Sequence, residues 1–181
     1  MNFSEIEQAV LKWANERKII TLNNHRQMYL QVLRTQGLKL VEELGELQMG
    51  IWNMKHVDAG LYDIKDAIGD ALVVMTSIAW ALPMKDKTLT QIVDIAQADT
   101  AIAPDPELLI QARLGKLIAC IIKNKPSGEI CDALISVCFY LNRIAELYKL
   151  NMTECYEAAY NVIKDRKGKT TVDGNFIKEG D

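Results

Sequence analysis

Apolar residues recur every three or four positions along most of the chain, which is the spacing of one buried face of an α-helix. The first such segment runs from Ser4 to about Arg17, and Ser4 followed by Glu7 has the form of a capping box. Pro83 and Pro106 lie between later segments, Pro83 as a helix stop and Pro106 as a first helical residue. The further predicted helices cover about 25–54, 62–82, 88–98, 105–125, 127–148 and 153–165, with Asp105, Ser127 and Thr153 opening the last three.

These segments predict an all-α protein without a real sheet. Ten glycines and four prolines in 181 residues are few for a strand-and-turn architecture, and a 49% hydrophobic composition is enough for a sizeable core. We expect one all-α domain, residues 1–181, in three parts: a half with the candidate metal site at 1–84, a second half at 104–165 and a basic tail at 166–181. The longest apolar stretch, from Ala71 to Met84, is shorter than the about 20 residues that span a bilayer, so no membrane span is predicted.

Charge and cysteine usage narrow the class of protein. The net charge is −3 and the isoelectric point is about 5.5, which argues against a nucleic-acid binder that works by bulk positive charge. The start of the chain lacks the basic and apolar pattern of a secretory signal. Without a C-x-x-C pair, the cysteines are predicted to be buried, reduced thiols of a cytoplasmic protein. They are Cys120, Cys131, Cys138 and Cys155.

A weak internal repeat links the two halves. Gly45 and its flanking leucines recur 70 positions later around Gly115, and Asp70 with its apolar neighbours recurs 62 positions later around Asp132. One interpretation is a duplicated helical hairpin, in which two hairpins close a four-helix bundle in pseudo-twofold fashion and the second is degenerate. The other is a chance match of leucines in helices.

Carboxylates cluster on two neighbouring predicted helices. Glu42, Glu43 and Glu46 lie within about one turn of each other, and Asp66 and Asp70 are one turn apart on the next helix. An antiparallel hairpin places the two sets opposite each other, where two like charges at 4 Å repel by about 4 kcal/mol at an effective dielectric near 20. A hard divalent cation relieves this repulsion, and oxygen-only ligands favour Mg²⁺ or Mn²⁺ over zinc.

A simpler interpretation is that these acids lie on solvated helix faces. Lys39 precedes Glu43 by one turn and Lys65 neighbours Asp66, so ordinary surface ion pairs are also compatible with the pattern. A di-iron carboxylate bundle is rejected, because neither histidine follows a glutamate at the Glu-x-x-His spacing.

Two stretches resemble the MazG-like branch of the all-α NTP pyrophosphatases. They are QGLKLVEELGEL at 36–47 and KDAIGDALVV at 65–74, and the ending AYNVIKDRKGK at 159–169, with DGNFIK at 173–178, is similar to the tail of that branch. The resemblance implies a four-helix-bundle-type fold and Mg²⁺-dependent cleavage of nucleoside triphosphates between the α and β phosphates, in nucleotide pool control or sanitation. It also implies a homo-oligomer, either a dimer or a tetramer.

The chain departs from the family pattern at one position. That pattern is E-E-x-x-E followed by E-x-x-D, and Ala67 stands where the second element has its glutamate. Asp66, one position earlier, is a candidate replacement, which leaves the number of ligands and metal ions open. The same departure motivates a second hypothesis: a catalytically weak helical nucleotide-binding or regulatory protein that retains the scaffold.

Carried over residue by residue, the resemblance implies roles for the acidic cluster. The predicted metal ligands are Glu43, Glu46 and Asp70, with Asp66 as the fourth, and Glu42 is the predicted catalytic residue that orients or deprotonates the attacking water.

Substrate contacts are predicted from the tail and from one tryptophan. Lys164, Arg166 and Lys167 suit a triphosphate, and Asn161 suits a base or a sugar hydroxyl. Trp52, close after the acidic helix, is the stacking candidate among tryptophans whose default role is core packing. The alternative for the charged run is a solvated surface.

In the second half, basic residues stand at positions where the first half has glutamates. Arg113 and Lys116 stand at the positions of two of the glutamates, while Glu129 and Asp132 remain acidic. Arg113 and Lys116 are therefore expected either to hold substrate phosphates or to pair with those two acids in a structural network.

Overall fold

The computed structural model describes residues 1–20, 26–83, 88–171 and 176–179. Over this part the protein is all-α apart from one short antiparallel hairpin, so the predicted fold class is confirmed. The helices are α1 (Phe3–Glu16), α2 (Arg26–Val57), α3 (Leu61–Ala81), α4 (Leu89–Ala98), α5 (Pro106–Ile122), α6 (Ser127–Leu147) and α7 (Met152–Ile163), and the strands are β1 (Gly168–Thr170) and β2 (Phe176–Lys178).

The start of α1 differs from the prediction. Asn2, not Ser4, is the N-cap: its side chain accepts from the backbone N–H of Glu5 at 2.9 Å, and the Glu5 carboxylate accepts from the backbone N–H of Asn2. Glu7 is buried and accepts from two backbone N–H groups in the first turn of α4, at 2.8 and 3.0 Å, and from the hydroxyl of Thr90. The Glu7 carboxylate is therefore bound by the first turn of α4 and does not form the capping box predicted with Ser4.

Two later helix starts also differ in detail. Pro106 is the first residue of α5, as predicted, but Asp105 has φ 41° and its side chain makes no capping hydrogen bond. α7 begins one residue before Thr153, because the Asn151 side chain accepts from the backbone N–H groups of Thr153 and Glu154 at 2.9 and 3.2 Å. Asn151 satisfies two orphan donors at once, which explains why it is the cap.

Two helical hairpins form the body of the protein. α2 packs along α3 after a tight turn at Gly60, where φ is +116° and a side chain would overlap the carbonyl oxygen of Gly50. α5 packs along α6, α2 contacts α5, and α7 lies across α3. The buried aliphatic residues of these helices form one hydrophobic cluster, and this shared core fixes the two hairpins against each other.

The cysteines are buried and unbridged, as the sequence predicted. All four cysteines are buried, and no disulfide joins them. Among the described helices, none combines the length and apolar composition needed to cross a bilayer. The small β1–β2 hairpin was not predicted; it is held to α1 by the Thr170 hydroxyl, which donates to the carbonyl oxygen of Arg17.

Candidate functional site

A cavity of about 570 Å³ lies between α2 and α3, and it is closed by the end of α1 and by the chain that follows α7. This volume is typical of sites that take a small ligand. All five carboxylates singled out from the sequence line the cavity: Glu42, Glu43, Glu46, Asp66 and Asp70. They meet here because α2 and α3 are antiparallel and each presents acids at one-turn spacing.

Glu43 is the most deeply placed of these acids, with only 3% of its surface exposed. Lys39, one turn earlier, places its Nζ 3.0 Å from Glu43 Oε1 and 2.8 Å from Glu42 Oε1. Burial raises the pKa of Glu43 from 4.5 to about 7, although the Lys39 charge lowers it and the charges of Asp70 and Glu46 raise it further. Glu43 therefore titrates near neutral pH, and a further positive charge beside it would favour its charged form.

The pKa of Asp70, which lies on α3, is raised as well. Burial raises the pKa of Asp70, and the nearby charge of Asp66 adds to this, whereas Arg166 and Lys39 lower it. For Lys39 itself, burial lowers the pKa, but its hydrogen bonds and attractions to the two glutamates outweigh burial and leave the pKa raised. Lys39 and Arg166 thus face five carboxylates, and the cavity retains an excess of negative charge.

The donor chemistry of the cavity fits a hard divalent cation. The ionisable side chains at its wall that can ligate a metal are carboxylates. No histidine or thiolate is found among the described lining residues. Within the described ranges, however, no three His, Cys, Asp or Glu side chains are already arranged to hold a metal ion. Lys39 lies between Glu42 and Glu43 instead, so metal binding requires side-chain rotation around a preformed cluster.

Of the neighbouring α3 residues Asp66 and Ala67, only Asp66 faces the cavity. Ala67, at the position where the family pattern has glutamate, is 3% exposed and packs in the core. Asp66 is half-buried and lines the cavity together with Asp70. Asp66, and not Ala67, therefore lines the cavity from this turn of α3.

Aromatic and cationic side chains also line the cavity. Trp13 and Phe176 line it with ring centroids 5.9 Å apart, and Trp13 Nε1 donates to the carbonyl oxygen of Ile163 at 2.8 Å. The guanidinium of Arg17 lies 5.0 Å from the Trp13 ring centroid and donates to the carbonyl oxygen of Arg166 at 2.7 Å. These contacts hold the tail against α1 and place Arg166 at the cavity.

Of the predicted substrate-binding residues, the structure brings only Arg166 to the cavity. Trp52 is 51% exposed on the outer side of α2 and stacks on His56 with centroids 4.5 Å apart. Asn161 and Lys164 are exposed and bond to each other at 2.9 Å, and Lys167 is also exposed. The polar tail is therefore mostly solvated, apart from one arginine.

Trp13 and Phe176 are among the cavity residues that the sequence did not single out, together with Gln36 and Ser77. Their relevant signal was weak: Trp13 and Arg17 have the i,i+4 spacing of one helix face, next to a tail that contains one aromatic residue. Neither spacing nor composition shows that a segment about 150 positions away returns to this helix.

The second half does not form the structural network that was one of its two expected roles. Glu129 pairs with Lys125 at 3.4 Å, and in the described part of the chain no ion pair joins Arg113 or Lys116 to Glu129 or Asp132. Arg113 lies over the ring of Tyr140 at 5.2 Å instead.

No family model, curated protein or solved structure matches the chain.

Proposed function

We propose that the chain is a Mg²⁺-dependent nucleoside triphosphate pyrophosphohydrolase of the MazG-like type, acting on the cytoplasmic nucleotide pool as a homo-oligomer. The observation that carries the proposal is the composition of one cavity. Five carboxylates on α2 and α3 line one space of about 570 Å³ together with an arginine and two aromatic rings. A nucleotide needs cations for its phosphates and an aromatic surface for its base. Arg166 and the rings of Trp13 and Phe176 offer these directly, and the carboxylates would serve the phosphates through a bound metal ion.

The carboxylate wall is the metal side of the proposed site. Glu43, Glu46, Asp66 and Asp70 would hold Mg²⁺, or Mn²⁺ in its place, through carboxylate oxygens. Bound there, the metal supplies neutralisation of phosphate charge and a more acidic water. Burial raises the pKa of Glu43 and of Asp70, so their charged forms are less favourable here than in water, and a bound cation would favour them.

The chain's own groups account for orientation and proton transfer. The guanidinium of Arg166 is placed to bind phosphate oxygens. Glu42, anchored by Lys39 at 2.8 Å and exposed to the cavity, is placed to orient water and to accept its proton. Water attacks the α phosphorus, the bond from this phosphorus to the bridging oxygen breaks, and the products are a nucleoside monophosphate and pyrophosphate.

The aromatic wall is the proposed base side. The structure favours Trp13 and Phe176 over Trp52 for stacking, because the first two line the cavity. Gln36 and Ser77 also line it and offer an amide and a hydroxyl for a base or a sugar.

One feature favours a second candidate function, a nucleotide-binding or regulatory protein with weak catalysis. Lys39 already pairs with Glu42 and Glu43, and Ala67 removes one carboxylate from the α3 wall. A site with this internal cation could bind a nucleotide through Arg166 and Trp13 without turning it over.

The deciding experiment uses the purified full chain with canonical and modified NTPs and dNTPs, in Mg²⁺, in Mn²⁺ and in EDTA. Products are separated by ion-exchange chromatography, and water labelled with heavy oxygen shows which phosphorus is attacked. We expect label in the monophosphate, and a loss of at least about 100-fold in Glu46→Gln. Glu154→Gln, an exposed acid on α7, is the matched control and should retain activity.

Two outcomes contradict the enzyme. Release of inorganic phosphate, or label in pyrophosphate alone, would assign a different bond cleavage. Calorimetric binding of a nucleotide without any turnover, in a chain folded by circular dichroism, would establish the binding protein instead.

A further inference from the structure

Two uncharged polar side chains line the cavity away from its central carboxylates. They are Gln36 on α2, which is half-buried, and Ser77 on α3, which is only 3% exposed. Seven residues separate Gln36 from Glu43 on one helix and Asp70 from Ser77 on the other. At 1.5 Å per residue, this places both polar groups two helical turns, about 10 Å, from the two acids. We call Gln36 and Ser77 the inner pair.

The antiparallel pairing of α2 and α3 sets the inner pair at one level of the cavity. A Cβ added at Gly50 would lie 3.0 Å from the backbone nitrogen of Ile64, which fixes the level at which the two helices meet. Moving back along α2 from Gly50 and forward by a matching number of residues along α3 leads to Gln36 and to Ser77, within one position. The amide and the hydroxyl therefore line the same part of the cavity from its two sides.

Within the described part of the chain, the hydroxyl of Ser77 makes no hydrogen bond to another protein group. Thr76 beside it behaves differently, because its hydroxyl bonds both the carbonyl oxygen of Leu72 and the hydroxyl of Tyr156. Buried polar groups nearly always have a hydrogen-bond partner, and leaving one without a partner costs free energy. A buried hydroxyl that lies at a cavity wall without a protein partner is free to bond a ligand.

We propose that the inner pair binds the hydrogen-bonding edge of a nucleobase and sets the base preference of the chain, an assignment that rests on the proposed nucleotide function. With the α phosphate at the carboxylates, the sugar lies next to them and falls short of groups two turns away. The outer edge of the base reaches that far. An amide and a hydroxyl each donate and accept hydrogen bonds, which suits the adjacent donors and acceptors of that edge.

The surroundings of the inner pair suit an uncharged ring. Val73 and Val74 precede Ser77 by about one turn of α3 and line the cavity, Val74 with only 5% of its surface exposed. Lys39, about one turn from Gln36 on α2, directs its ammonium to two glutamates instead. Hydrogen-bonding groups without charge, next to apolar side chains, match the polar edge and apolar faces of a base better than a further phosphate.

Ser77→Ala separates a role in binding from a role in folding. Because the hydroxyl has no protein partner in the described part of the chain, its removal should leave the urea midpoint of the free protein equal or higher. The affinity for a nucleotide should fall at the same time. A hydroxyl that only supports the fold would give the opposite result, with a lower midpoint and an unchanged affinity.

The main test is calorimetric titration of the full chain in Mg²⁺. The ligands are triphosphates of the common nucleosides with a methylene group between the α and β phosphorus atoms, which blocks cleavage, and inorganic tripolyphosphate, which lacks a base. Ser77→Ala and Gln36→Leu should each bind the preferred nucleotide at least about 10-fold more weakly, with tripolyphosphate affinity within about twofold of the parent. Thr76→Val, which removes the neighbouring hydroxyl bonded to Tyr156, is the matched control and should lower the urea midpoint while keeping the base preference.

A second titration identifies the contact on the ligand. In an analogue of the preferred nucleotide, hydrogen replaces the exocyclic oxygen or amino group of the base edge. The parent should bind this analogue at least about 10-fold more weakly than the natural base, whereas Ser77→Ala/Gln36→Leu should bind the two alike.

The outcomes separate this inference from the proposed function. If the double variant keeps the parent's base preference, the inner pair does not bind the base, while nucleotide turnover by the parent would leave the proposed hydrolysis intact. If the parent binds all bases equally, the inner pair sets no preference and the inference is overturned. A parent that neither binds nor cleaves any nucleotide would overturn both.

Discussion

Gly69 is the point where the candidate site depends most directly on helix packing. It lies in the middle of α3 under α7, and a Cβ added there would be 2.8 Å from Ala159 Cβ and would overlap the carbonyl oxygen of Cys155. One obstacle is backbone and the other is a short side chain, so neither can rotate away. Gly69→Ala should therefore push α7 away from α3.

The expected cost follows from two opposing effects. Forcing one methyl group into this contact costs about 1–3 kcal/mol, at the upper end here because backbone atoms must move. Replacing glycine by alanine within a helix returns about 0.5–1 kcal/mol. The net change in the free energy of unfolding should be a loss of about 2 kcal/mol, measured as a lower urea midpoint at unchanged slope.

Gly115→Ala is the matched control, because this helical glycine has open space around the added methyl group. It should be as stable as the parent or more stable by about 0.5–1 kcal/mol. Since α7 ends at Ile163, whose carbonyl oxygen holds Trp13, Gly69→Ala should also weaken nucleotide binding in titration calorimetry. A Gly69→Ala protein at least as stable as the parent would refute the close α3–α7 contact.

Further predictions concern the acid cluster, the core and the tail. Burial raises the pKa of Glu43 from 4.5 to about 7, so in EDTA the parent should lose stability as pH rises between these values; Glu43→Gln should be about 1–2 kcal/mol more stable at pH 8, and equal at pH 4.5, in urea melts. Tyr156→Phe should cost about 1–2 kcal/mol in the same melts, since its hydroxyl bonds the buried Thr76. Arg17→Lys should loosen Arg166, weakening nucleotide affinity in calorimetry while Mg²⁺ affinity is retained.

The helices and the acidic cluster could be predicted because local spacing determines both. The helical period of 3.6 residues places Glu43 and Glu46 on one face of α2. The short connection through Gly60 requires α3 to run back along α2. Asp70 then has to approach these glutamates from α3, and the structure places it in the same cavity.

The rest depended on contacts that the sequence pattern does not encode. Asn2 and Ser4 are both good caps, and the choice was made by Glu7, which α4 takes as an acceptor 82 positions away. Trp52 and Trp13 are both apolar-face residues by periodicity, yet only Trp13 meets the tail. Periodicity identifies which residues share a face, but not what the rest of the chain brings to it.

Lys39 shows why the two interpretations of the acidic cluster are compatible. The spacing predicted an ordinary ion pair with Glu43, and that pair is present, but it lies at the cavity wall with Glu43 almost fully buried. Two cations, Lys39 and Arg166, are set against five carboxylates there. An acid whose pKa is raised by burial destabilises the folded state at neutral pH. Replacing it with an amide would remove that cost. Folding alone gives no reason to collect such groups at one cavity, whereas a cationic ligand does.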